Sequence, residues 1–319
     1  MSKFDPYEHL QIDLNPDGSI TRLMELPDVD PNPEPVPGKH TVSKDIIINS
    51  ETNVFARIYR PTRLPSNDTT VARLPILLYF HDGGFIFGRA SNMQTDKACY
   101  EFSGEIPSIV VSVDYRLAPE NRLPAQYEDA VDAILWVKKQ VMDTTGEQWL
   151  KDYGDFTRCY LGGRGSGANI AFHAALRCSA LDPKPIEITG VFMNQPMFGG
   201  KQRKQSELTF ATNQLLPLPV LDLLWELALP KGTDRDHRFS NPMSDGPYRR
   251  KIGSILRRCL VIGYALDPMI DRQQEFVNML VRTGVQVEAH FDDLGFHNVD
   301  MVDINRAQAI LNIIKEFII

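Results

Sequence analysis

The strongest constraint on the fold is a glycine-dense segment in the middle of the chain, residues 158–170, which reads Arg-Cys-Tyr-Leu-Gly-Gly-Arg-Gly-Ser-Gly-Ala-Asn-Ile. Its apolar start predicts a short strand, and the residues from Gly167 onward predict a helix. Glycine reaches backbone angles that other residues rarely adopt, so the glycines between the two elements indicate a very tight turn. The turn comprises Gly163, Arg164, Gly165, Ser166 and Gly167.

Strand-like and helix-like segments alternate through most of the chain. The runs Leu74–Phe80 and Ser108–Asp114 are apolar on both faces, as in buried parallel strands. This alternation predicts an α/β fold with a mostly parallel central sheet flanked by helices. The predicted strands are Thr41–Ile48, Val54–Tyr59, Leu74–Phe80, Ser108–Asp114, Tyr160–Leu161, Ile188–Met193, Cys259–Ala265 and Val285–Phe291. The predicted helices are Ala125–Val141, Ala168–Cys178, Leu218–Leu229, Arg272–Arg282 and Arg306–Ile318.

Two segments interrupt the alternation. Residues 1–38 are rich in proline, aspartate and asparagine, which favours either an arm laid over the body or a disordered tail. Residues 195–243 are rich in proline and leucine and contain one predicted helix. In open α/β sheets ligands bind at the carboxyl ends of the strands. We therefore expect one α/β domain, 39–319, with 1–38 and 195–243 forming a cap over that edge.

Composition excludes several classes of function. The net charge is −7 without a basic block, which argues against nucleic-acid and anionic-membrane partners. The four cysteines are far apart and form no C-x-x-C pair, so we expect reduced thiols rather than disulfides or a metal site. No phosphate-binding or dinucleotide motif occurs in context, so no cofactor is expected. The N-terminal sequence lacks the apolar core of a signal peptide, which predicts a cytoplasmic protein. We further expect a monomer or homodimer with a small-molecule substrate or ligand.

Four motifs carry a resemblance to a known family. They are His81-Asp-Gly-Gly-Phe85, Asp114-Tyr-Arg-Leu-Ala-Pro-Glu120, the glycine-dense turn, and Leu266-Asp-Pro-Met-Ile-Asp271 with Gly295-Phe-His297 downstream. In order and spacing they resemble the plant carboxylesterase-like proteins of the hormone-sensitive-lipase type, which belong to the α/β-hydrolase superfamily and are related to the gibberellin receptors. The resemblance covers the chain from about Phe4 to Ile319 and implies the α/β-hydrolase fold.

The resemblance also fixes the register of the turn. In this family the turn is the nucleophile elbow, G-x-S-x-G, whose serine attacks the substrate. Here Gly165 stands at the serine position. The alternative register uses Ser166 as the nucleophile, but it leaves Arg164 and Ala168 at the flanking positions that need glycine. We therefore expect a lost nucleophile at Gly165, with Ser166 as the alternative.

The remaining catalytic positions carry the residues that the family uses. By resemblance, His297 is the general base and Asp267 the carboxylate that orients it. Asp271 competes for the orienting role but is interpreted as a helix cap. The backbone amides of Gly83, Gly84 and Ser166 would form the oxyanion hole. His297 could also be a histidine left without a role once the nucleophile was lost.

Two charged residues depart from the family pattern. Asp82 replaces a glycine, and its carboxylate either repels an anionic intermediate, pairs with a ligand amine, or points behind the loop. Arg164 precedes the elbow, and we hypothesise an ion pair with Asp82. His81 is expected to hold the loop. The apolar candidates for the substrate pocket, each also compatible with core packing, are Phe85, Phe198, Leu216 and Trp225.

Three functions remain open from the sequence. The first, implied by the resemblance, is a non-hydrolytic enzyme of plant specialised metabolism, a lyase or cyclase that performs elimination, dehydration or cyclisation on a small metabolite such as an alkaloid or terpenoid. The second is a small-molecule receptor like the gibberellin receptors. The third is a weak carboxylesterase that uses Ser166 or an activated water. Retention of His297, Asp267 and the oxyanion loop favours the first.

Overall fold

A computed structural model describes residues 4–64, 66–67, 70–71, 73–244, 246 and 249–319. Its centre is an eight-stranded sheet. The strands of the described residues, eight of which form this sheet, are β1 Ile12–Leu14, β2 Ile20–Arg22, β3 Thr41–Asn49, β4 Val54–Pro61, β5 Ser66–Asn67, β6 Thr70–Val71, β7 Leu74–Phe80, β8 Ile109–Asp114, β9 Gly154–Arg164, β10 Ile188–Asn194, β11 Arg258–Leu266 and β12 Gln286–Phe296. The order across the sheet is β12-β11-β10-β9-β7-β8-β4-β3, and the pairs from β12 to β8 are parallel.

Helices cover both faces of the sheet, as an α/β fold requires. They are α1 Pro6–Leu10, α2 Met93–Glu105, α3 Ala125–Met142, α4 Gln148–Tyr153, α5 Gly165–Cys178, α6 Gln205–Thr209, α7 Leu218–Ala228, α8 Ile252–Ile255, α9 Ile270–Arg282 and α10 Ile304–Ile318. Three 3₁₀ turns lie at Ser179–Leu181, Arg249–Lys251 and Val299–Met301. In the described part of the chain no helix is both long and apolar enough to cross a membrane.

The apolar side chains of the strands are divided between two cores, one on each face of the sheet. In β7, Ile76, Leu78 and Phe80 belong to the larger cluster under α3 and α5, whereas Leu77 and Tyr79 belong to a second cluster under α2 and α10. Successive side chains of a strand point to opposite faces, so a fully apolar strand must be covered twice. The α/β fold and the mostly parallel sheet predicted from the sequence are confirmed.

Several element boundaries differ from the sequence predictions, and the sequence did not predict the helices α1, α2, α4, α6 and α8 or the strands β1, β2, β5 and β6. Strand β9 continues past its predicted end at Leu161 through Gly162 and Gly163 to Arg164, and α5 already begins at Gly165. Gly162 is in the strand for packing reasons, because an added Cβ would lie 2.0 Å from the ring of Phe192. Helix α2 was not predicted: it buries only Cys99, Phe102 and Ser103, too few residues for a helical apolar period.

Residues 4–38 lie as an arm on the body. Arg22 donates to the carbonyls of Ile86 and Ala118 and pairs with Glu120 at 2.8 Å. Further along, Asp28 accepts hydrogen bonds from Ser91 and Asn92. These contacts place the arm at the edge of the sheet where the strands β7 and β8 end.

Candidate active site

Two loops meet at the carboxyl edge of the sheet and form the floor of the site. Strands β7 and β9 are parallel neighbours, and their last paired residues are Phe80 and Gly163. The loop that begins at His81 therefore starts beside the tight turn at the end of β9. Residues that are about 80 positions apart in the chain are brought into contact by this register.

The elbow residue is Gly165, which has φ +51°. This left-handed conformation is unfavourable for residues with a side chain and accessible to glycine. A Cβ built on Gly165 would lie 2.1 Å from Oδ1 of Asp82 and 2.5 Å from its Cγ. The space that a side chain at the elbow would fill is thus already occupied by the carboxylate of Asp82.

Asp82 is held there by the first turn of α5. Its Oδ1 accepts a hydrogen bond from the backbone amide of Ser166 at 3.1 Å and from the Ser166 hydroxyl at 3.4 Å. Of the three orientations considered for Asp82, the one that points behind the loop is wrong. The carboxylate engages the amide of Ser166, which is one of the three donors expected in the oxyanion hole, because helix N-termini attract negative charge.

The other two donors come from the loop after β7. Gly83 has φ +131° and Gly84 has φ +60°, and the Gly83 carbonyl accepts from the amides of Ile86 and Phe87. A Cβ on Gly83 would lie 2.1 Å from the Phe87 carbonyl oxygen, so this turn requires glycine. Within the described residues, the amides of Gly83 and Gly84 have no acceptor. Both are therefore available to a ligand oxygen.

His297 and Asp267 form a buried pair at the ends of the neighbouring strands β12 and β11. The His297 Nδ1 lies 2.9 Å from Oδ2 of Asp267, and Oδ1 of Asp267 accepts from the amide of Met269 at 2.8 Å. The carboxylate is an acceptor, which assigns the proton to Nδ1 and leaves Nε2 for proton transfer. No described residue hydrogen-bonds to Nε2 of His297.

The electrostatics of the site favour protonated His297. Burial on its own would lower the pKa of His297, but the charge and hydrogen bond of Asp267, with a further contribution from the charge of Asp82, outweigh burial and raise the pKa above its usual value. Asp82 thus acts on the histidine through its charge as well as occupying the elbow. An imidazole with a raised pKa is poised to give as well as to accept a proton near neutral pH.

We expect an NMR titration of His297 to have its midpoint above about 6.5, the usual pKa of histidine. The substitution Asp267→Asn should lower this midpoint most, and Asp82→Asn should lower it by a smaller amount. Because folding raises this pKa, the stabilisation from His297 is complete below the pKa of the unfolded chain and is lost as pH rises through the folded value. A midpoint that Asp82→Asn leaves unchanged would contradict the placement of its carboxylate.

The partner of Arg164 differs from the one expected. Arg164 forms an ion pair with Asp300 rather than with Asp82, so the hypothesised Arg164–Asp82 pair is wrong. Asp300 also accepts from the side-chain amides of Asn194 at 3.2 Å and Gln195 at 3.3 Å. Asp300 lies in the 3₁₀ turn just after His297, and no motif or spacing in the sequence indicates that it pairs with Arg164.

Other predicted residues have structural surroundings. His81 stacks on Tyr115 with ring centroids 4.1 Å apart, and the Tyr115 hydroxyl donates to the His81 carbonyl at 2.8 Å. Tyr115 was not singled out from the sequence. Asp271 is not the helix cap: it lies in the first turn of α9, where its Oδ2 accepts from the amide of Ser206 at 2.8 Å.

The apolar candidates for the substrate pocket are buried in the core. Phe85 packs on Trp225 with ring centroids 5.4 Å apart, and Phe198 packs on Phe276 at 4.3 Å. Leu216 is also buried and belongs to the same cluster. None of these four candidates is on the wall of the cavity described next.

A cavity of about 340 Å³ opens beside Asp82 and extends between α2 and α10. Its polar end contains His81, Asp82, Gly83, Arg164, Asn194, Asn298 and Asp300. Its apolar wall contains Met24 and Leu26 of the arm, with Tyr79, Phe87, Phe102, Phe192, Ile310, Leu311 and Ile314. The volume is within the range of small-molecule sites. Because α2 was not predicted, this cavity could not be anticipated from the sequence.

Comparisons with known proteins agree with the fold. A family model described as the α/β-hydrolase fold matches residues 77–301. The chain is 55% identical to probable carboxylesterase 9 of Arabidopsis thaliana, over 99% of this chain and 97% of that protein. It is 43% identical to 3-O-acetylpapaveroxine carboxylesterase CXE2 of Papaver somniferum, over 98% and 99%. It is 34% identical to the gibberellin receptor GID1B of Arabidopsis thaliana, over 85% and 76%. The chain therefore belongs to the α/β-hydrolase family, among the plant carboxylesterase-like proteins to which the gibberellin receptors are related.

Proposed function

We propose that this protein catalyses a non-hydrolytic, proton-transfer step on a small molecule, without an acyl-enzyme. One observation carries the proposal: the Asp267–His297 pair is retained at 2.9 Å, while the carboxylate of Asp82 fills the place of the missing nucleophile. A histidine with an orienting carboxylate is useful only if a proton moves. A side chain at the elbow is needed only if a covalent intermediate forms.

Ser166 is a poor substitute nucleophile. It is fully buried, and its hydroxyl lies 3.4 Å from Asp82; in the described part of the chain His297 is not a hydrogen-bond partner of that hydroxyl. The carboxylate of Asp82 is a much weaker base than an imidazole, so the serine hydroxyl beside it is a weak nucleophile at neutral pH. This arrangement argues against a dedicated esterase that uses Ser166.

A β-elimination fits the groups that are present. His297 would take the proton from the carbon next to a carbonyl, and the carbonyl oxygen would bind the free amides of Gly83 and Gly84. The electron pair of the C–H bond becomes the new double bond as the C–O bond to the leaving group breaks. The protonated His297 returns the proton to the leaving oxygen. The same groups support dehydration, in which water leaves, and cyclisation, in which the carbanion attacks within the substrate.

The test uses 4-acetoxybutan-2-one, because its two possible products separate the mechanisms. Elimination releases acetate and methyl vinyl ketone, whereas hydrolysis releases acetate and 4-hydroxybutan-2-one. We expect the native protein to form the vinyl ketone, and His297→Ala to reduce its rate by about 10²-fold or more. His290→Ala, which removes an exposed histidine of β12, is the matched control and should keep the native rate.

The identity of the product decides between elimination and hydrolysis. If 4-hydroxybutan-2-one is the product, the protein is a hydrolase, as the names of its relatives suggest. If the vinyl ketone forms at the same rate in His297→Ala, proton transfer through His297 is excluded.

A receptor is the second candidate, because Met24 and Leu26 of the N-terminal arm form part of the cavity wall. An arm that closes over a ligand suits a binding protein as well as an enzyme. A probe that binds without turnover in either the native protein or His297→Ala would favour this candidate.

A further inference from the structure

The polar end of the cavity contains a carboxylate without a cationic partner. Asp82 lies on the cavity wall, and its Oδ1 is used by Ser166. Among the described residues, no lysine, arginine or histidine is within ion-pair distance of Asp82, and its Oδ2 has no hydrogen-bond donor. Asp82 is half-buried, and a cationic ligand would compensate the part of its hydration that burial removes.

The nearest cation of the cavity is not available to Asp82 or to a ligand anion. Arg164 is neutralised by Asp300, which also takes donors from Asn194 and Gln195. The charge that remains at this end of the cavity is therefore negative. A carboxylate or phosphate ligand would be repelled here, whereas a cation would be attracted.

The other titratable side chain at this end of the wall, His81, is neutral and adds no charge. His81 is 2% exposed, and its Nδ1 lies 2.7 Å from the backbone carbonyl of Asp82. A carbonyl only accepts, so Nδ1 carries the proton. Burial lowers the pKa of His81, which keeps the ring neutral and makes Nε2 an acceptor. This Nε2 is buried and has no partner among the described residues.

The remainder of the cavity wall is mixed: Gln94, Lys97 and Glu101 of α2 are polar, whereas the residues from α10 are mostly apolar. Phe102 of α2 faces Phe192 of β10 with ring centroids 5.9 Å apart, and Ile310, Leu311 and Ile314 of α10 complete the wall. An aromatic or aliphatic group would be buried here, and burial of apolar area is the main source of affinity for such a ligand. The polar end and the apolar part of the cavity wall therefore suit the two parts of a single amphipathic ligand.

We infer that the cavity binds an amphipathic amine, with its protonated nitrogen at Asp82 and its apolar body between α2 and α10. An ammonium group supplies both the positive charge and the N–H donors that the unpaired carboxylate of Asp82 requires. The inference deepens the proposed function by giving the substrate class. Only the reaction of the bound amine rests on that proposal, because amine binding itself is measured without turnover.

The test compares phenethylamine with 3-phenylpropanoate and 3-phenylpropan-1-ol by calorimetry at pH 7, using the full chain. The three probes share a phenyl group on a short chain and differ in charge. We expect phenethylamine to bind about tenfold or more tightly than either of the others, since only the amine places a positive charge beside the carboxylate of Asp82. Asp82→Asn should remove this preference. Asp293→Asn, at an exposed carboxylate, should leave it unchanged.

Two outcomes would overturn the inference. One is equal affinity for the amine and the carboxylate. The other is loss of the preference in Glu101→Gln but not in Asp82→Asn, which would place the cation near Glu101, another carboxylate on the cavity wall. His297→Ala separates this inference from the proposed function: amine binding should persist in that variant when turnover is lost.

Discussion

The double variant Asp82→Gly/Gly165→Ser is expected to hydrolyse p-nitrophenyl acetate about 10³-fold faster than the native protein, because it restores a nucleophile next to His297 and frees the amide of Ser166. In serine hydrolases the loss of the nucleophile alone costs on the order of 10⁶-fold. The gain should be smaller here, since the pocket has not been selected for this ester. Steady-state rates of p-nitrophenol release measure it directly.

The single variants separate the two contributions. With Gly165→Ser alone, the new Cβ would be placed 2.1 Å from Oδ1 of Asp82, so either the hydroxyl or the carboxylate must move. A displaced carboxylate would still lie near the developing oxyanion and repel it. We therefore expect Gly165→Ser and Asp82→Gly each to remain at least about tenfold slower than the double variant, which a double-mutant cycle reports as strong coupling. Additive single effects would mean that the two positions are independent.

Asp300→Ala is expected to lower the free energy of unfolding by about 3 kcal/mol, the lower end of the range for breaking a buried ion pair. The substitution leaves the guanidinium of Arg164 without its counterion and removes the acceptor of Asn194 and Gln195. Arg164 keeps 18% of its side chain exposed, so water in the cavity offsets part of the loss. Urea unfolding followed by fluorescence gives the value.

Two controls support the interpretation of that measurement. Arg164→Met/Asp300→Leu removes both charges and should cost less than Asp300→Ala, because the penalty comes from the charge left unpaired. Asp234→Ala removes a partner from the exposed Lys201–Asp234 pair and should have little effect. A small effect of Asp300→Ala, similar to that of Asp234→Ala, would contradict a structural role for the pair with Arg164.

The sequence sufficed to predict the features that depend on local patterns. The alternation of strands and helices and the parallel sheet follow from element type, and the pairing of His297 with Asp267 is what the resemblance to the α/β-hydrolases implies. The carboxyl ends of parallel strands share one edge, so residues that follow β11 and β12 had to meet.

The features that the sequence did not predict depend on side-chain packing between distant segments. Asp82 and Gly165 are each recognisable as departures from a pattern, but only the register of β7 and β9 shows that the side chain of one fills the space of the other. Arg164 and Asp82 have opposite charges in adjacent loops, yet Arg164 pairs with Asp300, 136 positions away in the chain. Charge signs alone do not indicate which of several partners a side chain reaches.

The conformation of Gly165 explains why the exchange is tolerated by the fold. A residue with a side chain at φ +51° stores strain of order 1–3 kcal/mol, which enzymes accept at functional positions. Glycine removes that strain, and the carboxylate of Asp82 fills the vacated space while accepting a hydrogen bond from the start of α5. Gly165 and the carboxylate of Asp82 therefore form one packed arrangement in the site.

The most direct test of that central claim is a mass-spectrometric count of fluorophosphonate adducts on the native protein, the two single variants and the double variant. We predict no adduct on the native protein or Asp82→Gly, slow and partial labelling of Gly165→Ser, and one adduct at position 165 in Asp82→Gly/Gly165→Ser. Stoichiometric labelling of Ser166 in the native protein, or labelling of Gly165→Ser as fast as the double variant, would show that the carboxylate of Asp82 does not occupy the place of the nucleophile.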